Sequence, residues 1–86
     1  MDTNELILKC EEVISGLVVS AETCDVKTFA PLIRGILGGY TALLDKAKAT
    51  LAADYVGGSH DGRKAYARDT VQIIAENLGV DTGHGL

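Results

Sequence analysis

Residues 29–55 read FAPLIRGILGGYTALLDKAKATLAADY, and they carry two apolar stripes where a surface helix needs one. Large residues recur at Phe29, Ile33, Ile36, Tyr40, Leu43/Leu44, Ala47 and Leu51. Beside them runs a stripe of small residues, Gly35, Gly39, Ala42, Ala49 and Ala53, with Lys46 its one large member. The period of three and four is helical. One apolar face covers one core, so a second, nearly bare face is room for another backbone. The small stripe is therefore expected to mark a helix-packing contact inside the monomer or an oligomer interface. On this reading a leucine at Gly39 would force a neighbouring helix outward and disrupt packing or association.

Working outward, Thr28 is a candidate N-cap, and Pro31 falls in the first turn, where its missing N–H costs no intrahelical bond. Gly35, Gly38 and Gly39 each cost about 1 kcal/mol relative to alanine. Both stripes keep phase across Gly38-Gly39, which favours a continuous or mildly bent helix over a break at that pair. Upstream, Asp2-Thr3-Asn4-Glu5 reads as a helix start with a capping box. Leu6, Cys10, Val13 and Leu17 then share a face, with Ile7, Ile14 and Val18 beside them. Thr23 to Lys27 is a connector. Downstream, Val56 to Gly62 holds three glycines and the N-cap candidate Asp61, and reads as a loop. A third helix follows, its buried face at Ala67, Thr70/Val71, Ile74 and Leu78, supported by Tyr66 and Ile73. Gly79 is its left-handed stop, with Val80 making the apolar contact that accompanies such a cap.

These signals predict an all-α fold, a small bundle of three helices at about 3–21, 28–55 and 62–78. Residues 1–80 form a single helical domain and 81–86 a flexible tail. The short connectors make antiparallel neighbours. At 86 residues, with 47% apolar and 5% aromatic residues and no Trp, the core is thin and built of Leu, Ile, Val and Ala. Oligomerisation is one way for so small a domain to bury more.

The net charge of −4 is uneven: −5 over residues 1–26, +2 over 27–54 and −1 over 55–86. The sign argues against non-specific nucleic-acid binding, which works by neutralising phosphates. Cys10 and Cys24 match no zinc or redox spacing. On one straight helix they would lie about 21 Å apart, beyond disulfide reach, so buried free thiols in a reducing cytoplasm are expected. Acids precede the first apolar run, so no secretory signal is read. The longest apolar candidate, Ala30 to Leu44, contains Arg34 and falls short of the ~20 residues a membrane span requires.

Chemistry-bearing groups do not converge. His60 lies in a loop and His84 in the tail, and neither makes a triad or helical metal pair with a cysteine or carboxylate. No catalytic residue, metal or cofactor is assigned. One feature departs from ordinary helix design: Arg63 and Lys64 sit in the first turn of helix three, where the helix dipole disfavours cations. With Tyr66, Arg68 and Gln72 they form a candidate partner-binding patch.

The reading that follows is a small, acidic, cytoplasmic protein-interaction module with no enzymatic activity. It acts as a regulator or inhibitor by binding another protein, or as a homodimer, a class familiar among bacterial and phage accessory proteins. The alternatives are a nucleic-acid-associated protein using the basic start of helix three, and a structural subunit of a larger assembly.

Overall fold

The computed structural model describes residues 2–23, 28–53 and 60–81. They form a small all-α three-helix bundle: α1 (Thr3–Thr23), α2 (Ala30–Ala52) and α3 (His60–Asn77). Each helix packs against both others. All but Asp81 of the expected tail at 81–86, the connector at 24–27 with Cys24, and most of the glycine loop lie outside the described residues.

The helix ends show what the local chemistry does. The Leu6 N–H donates to the Asp2 carbonyl at 2.9 Å, which puts Asp2 at the expected cap position. At the far end of α1 the Thr23 hydroxyl donates to the carbonyls of Val19 (3.0 Å) and Ser20 (3.2 Å). This is the back-bonding by which a threonine inside a helix satisfies its hydroxyl on the preceding turn. Thr28 is not the N-cap of α2. The Ile33 N–H donates to the Phe29 carbonyl at 2.9 Å, so Phe29 holds that position, without a side-chain bond. Pro31 still sits in the first turn, where its fixed φ favours helix entry. α2 ends at Ala52, because Ala53 turns extended (φ −68°, ψ 140°), short of the expected end at Tyr55. It runs unbroken through Gly38-Gly39. α3 begins at His60, two residues early, which places Asp61 within the helix instead of capping it.

Gly79 stops α3 as expected, at φ +75°. The Gly79 N–H donates to the Glu76 carbonyl (3.1 Å) and the Val80 N–H to the Ala75 carbonyl (2.8 Å). This is the Schellman pairing, and it needs a residue that tolerates positive φ. Val80 completes it by packing on the core.

α1 and α2 run antiparallel. Glu11 Oε1 meets Lys48 Nζ at 3.2 Å, and Glu22 Oε1 meets Arg34 Nη1 at 3.6 Å. As α1 advances from 11 to 22, α2 therefore recedes from 48 to 34. The core holds Leu6, Ile7, Cys10 and Ile14 of α1, Leu37, Leu44 and Ala47 of α2, and Ala67, Val71, Ile74 and Ala75 of α3. Among the described residues no polar or charged side chain is buried.

The inward face of α2 is rotated from the expected one. Ala30, Ile33, Leu37, Tyr40, Leu44, Ala47 and Leu51 follow one another at steps of three and four, and this is the stripe that turns toward the core, although Ile33 at its open end remains exposed. Leu37 and Leu44 are buried, whereas Ile36 and Leu43 are exposed. The cause lies in three apolar doublets, Leu32-Ile33, Ile36-Leu37 and Leu43-Leu44, each of which offers two residues for one inward place. Similar adjustments occur on the other helices. Leu17 of α1 is exposed and Val13 half-buried, while Ile7, Ile14 and Ala21 are buried. On α3, Tyr66 and Ile73 are exposed and Ala75 takes their place in the core.

Candidate functional site

The small stripe of α2 does not receive a helix within the monomer. Gly35, Gly39, Ala42 and Ala49 are exposed and Ala53 is half-buried. A Cβ built on Gly35, Gly38 or Gly39 would meet no atom within 4 Å. The stripe lies on the side of α2 away from the core, because the core face is centred on Leu37, Leu44 and Leu51, about half a turn from Gly35 and Ala42 at 100° per residue. The intramolecular version of the expected contact is therefore corrected, and within one copy a larger side chain at Gly39 has space.

The feature that stands out lies at the end of the α1–α2 hairpin. Among the described residues ten large apolar side chains are exposed, and six of them, Leu17, Val19, Phe29, Leu32, Ile33 and Ile36, fall between positions 17 and 36. Phe29 is 57% exposed, Leu32 61% and Ile36 55%. A groove of about 410 Å³ runs between the helices here, lined by Leu17, Ser20, Ala21, Phe29, Ala30, Ile33 and Leu37. Its walls are apolar but for Ser20. α2 residues 31–36 include no buried or half-buried side chain, so α3 does not cover this end. Isolated exposed apolar residues are ordinary; six of the ten gathered at one end of a hairpin are not.

The residues of the expected basic patch are placed as follows. Arg63 and Arg68 are exposed, Lys64 and Gln72 half-buried, and Tyr66 is 76% exposed. They do not form one surface. Lys64, Arg68 and Gln72, at i, i+4 and i+8, lie along one flank of the buried face of α3, and Arg63 and Tyr66 lie along the other. Residues two apart on a helix, such as Tyr66 and Arg68, point about 200° apart. Tyr66 faces α2, lining a small cleft of about 90 Å³ with Leu43, Lys46, Ala47, Ala67 and Thr70. Gln72 donates to Glu76 Oε1 at 3.2 Å.

Among the described residues no three metal-ligating side chains cluster, and no helix is long and apolar enough to cross a membrane. Cys10 is a free, fully buried thiol. Burial, and secondarily the negative charge of Glu11, raise its pKa above the ordinary thiol value. A thiol so placed is a core residue with little thiolate character. No protein family, curated protein or solved structure matches the chain.

The sequence reading missed the groove because it assigned Leu17, Phe29, Ile33 and Ile36 to the core. A signal was present: the apolar doublets supply more large residues than one helix face can bury.

Proposed function

We propose that this chain is a small, non-enzymatic protein-interaction module that works by seating a protein helix on the open end of its α1–α2 hairpin. A regulatory or inhibitory role in the cytoplasm fits such a module, and a buried free thiol suits a reducing compartment. The observation that carries the reading is the concentration of exposed apolar side chains from Leu17 to Ile36, on helices that are otherwise packed. Two helices presenting parallel apolar ridges with a groove between them fit a third helix, the element that fills the equivalent place at the other end of the molecule. Chemistry would need convergent polar groups in a cleft, and the groove walls offer only Ser20. The nucleic-acid alternative is weakened by the division of the basic residues between two flanks of α3, since phosphate tracking requires cations on one surface.

The test pairs two double variants. Leu32→Asp with Ile36→Asp is expected to keep the helical circular dichroism and cooperative melting of the wild type, because both side chains are exposed, and to lose association. Arg63→Glu with Lys64→Glu is expected to keep both. The reverse pattern would reject the hairpin end as the binding surface.

A further inference from the structure

We infer that the occupant of the open end is a second copy of this chain, with the amino-terminal halves of the two α2 helices paired antiparallel about a twofold axis beside Gly35 and Ile36. The inference rests on the interaction reading above and names its partner.

Four observations converge. First, Phe29, Leu32, Ile36, Gly39 and Leu43 follow one another at steps of three, four, three and four, the spacing of a helix-pairing seam. This seam lies about 100° around α2 from the inward one. All five residues are exposed, and the seam stops where its next positions become Lys46 and Thr50.

Second, the seam is self-complementary in shape. An axis beside Gly35 and Ile36 sets Leu32 of each copy opposite Gly39 of the other. Leu32 is the most exposed aliphatic side chain of the seam, and Gly39 has empty space where a Cβ would stand. The projecting residue meets the vacant one twice over. A parallel pairing would instead set Gly39 against Gly39 and leave a void.

Third, the charges allow it. Between Phe29 and Leu43 the only ionised side chain is Arg34, and it pairs with Glu22 of its own chain. Two copies can therefore meet here without setting like charges against each other, although each carries a net −4.

Fourth, the exposed apolar surface is of the order a small dimer needs. Phe29, Leu32, Ile36 and Leu43 of the seam, with Leu17 and Ile33 of the adjoining groove, are exposed on each copy, and burying all of them in a twofold pair would remove on the order of 1000 Å², the low end for specific interfaces. The groove of each hairpin lies beside the seam, so pairing would turn both hairpin ends into a short four-helix arrangement. Area does not fix affinity, so the dimer is sought over a wide concentration range.

The full chain is examined by sedimentation equilibrium from ~1 μM to ~1 mM, which covers dissociation constants across that interval. The expected result is a mass rising from one chain to two. Gly39→Leu, which fills the vacancy, and Ile36→Asp, which charges the seam, are each expected to weaken the dimer at least tenfold while keeping wild-type helicity when dilute. Should Gly39→Leu fail to fold, Ile36→Asp carries the test alone. A wild type that stays monomeric at ~1 mM, or variants that dimerise as well as it does, would overturn the dimer. If the wild type stays monomeric yet binds a different protein through Leu32 and Ile36, the dimer fails and the interaction reading stands. If neither association occurs, both fail.

Discussion

The two halves of α2 share a helix and a pattern of apolar doublets, yet they live in different surroundings. From Leu37 to Leu51 the helix lies between α1 and α3, and Leu44 is wholly withdrawn from water. From Ala30 to Ile36 it has α1 alongside, tied by Glu22 and Arg34, and its remaining apolar surface faces solvent. Intrinsic helix preference also varies along α2. Gly35 in the open half and Gly38 and Gly39 at the start of the covered one together cost about 3 kcal/mol relative to alanines. The half from Thr41 to Ala52 is rich in Ala, Leu and Lys, all good helix formers. The weakest helix formers thus gather around Leu37, where the exposed stretch of α2 gives way to the buried one.

The largest effect that can break this comparison comes from equal truncations in the two halves. Leu44→Ala is expected to cost 2–5 kcal/mol in urea unfolding, because it leaves a cavity at a fully buried site. Ile36→Ala, measured on dilute protein, should stay within about 0.5 kcal/mol. Similar losses for both would mean that the halves do not differ.

Glycine exchange sharpens the same point. Gly79→Ala forces a side chain into the left-handed region and is expected to lower stability by about 1 kcal/mol. Gly39→Ala meets no neighbour and should raise the melting temperature of dilute protein, gaining roughly 0.5–1 kcal/mol by restricting the unfolded chain. A loss at Gly39 in the monomer would imply a packed neighbour there.

A smaller effect is expected at the ion pair of the closed half. Lys48 and Glu11 are in contact but remain substantially solvated, so Lys48→Ala should cost a few tenths of a kcal/mol, less at high salt. Melting curves at two ionic strengths would read it.

The least effect at neutral pH comes from Cys10. Burial, with Glu11 second, holds its folded pKa above the ordinary value, so the unfolded chain loses this proton first as pH rises. The contribution is therefore intact below about pH 8.5, the ordinary thiol value, and declines above it. Stability of the wild type should fall more steeply between pH 8 and 10 than that of Cys10→Ala. Parallel slopes would show that the thiol is not held back by its surroundings.

Much of the fold was legible in the residues. Helical period, the turn at Gly79 and the start of α1 beside Asp2 are local signals that act on the backbone within a few positions, and each appears where expected. Cap placement at Thr28 and Asp61 was read less well, since several adjacent residues there can start a helix and packing chooses among them. The site was legible only in outline. Two stripes on α2 announced more contact surface than one core requires, but the stripe taken as large and inward was a mixture of both seams. The basic residues of α3 were grouped by their closeness in sequence, and the turn of the helix divides them.

The amino-acid sequence by itself determined three helices, their rough limits and an excess of apolar surface on the second, because periodicity and punctuation are properties of the chain alone. Only the tertiary structure decided which member of each doublet turns inward and which end of α2 stays uncovered. Ile36 or Leu37, and Leu43 or Leu44, serve a helix equally well in isolation, and it is the position of the neighbouring helices that separates core from surface, while Leu32 and Ile33 both stay exposed where α3 does not reach.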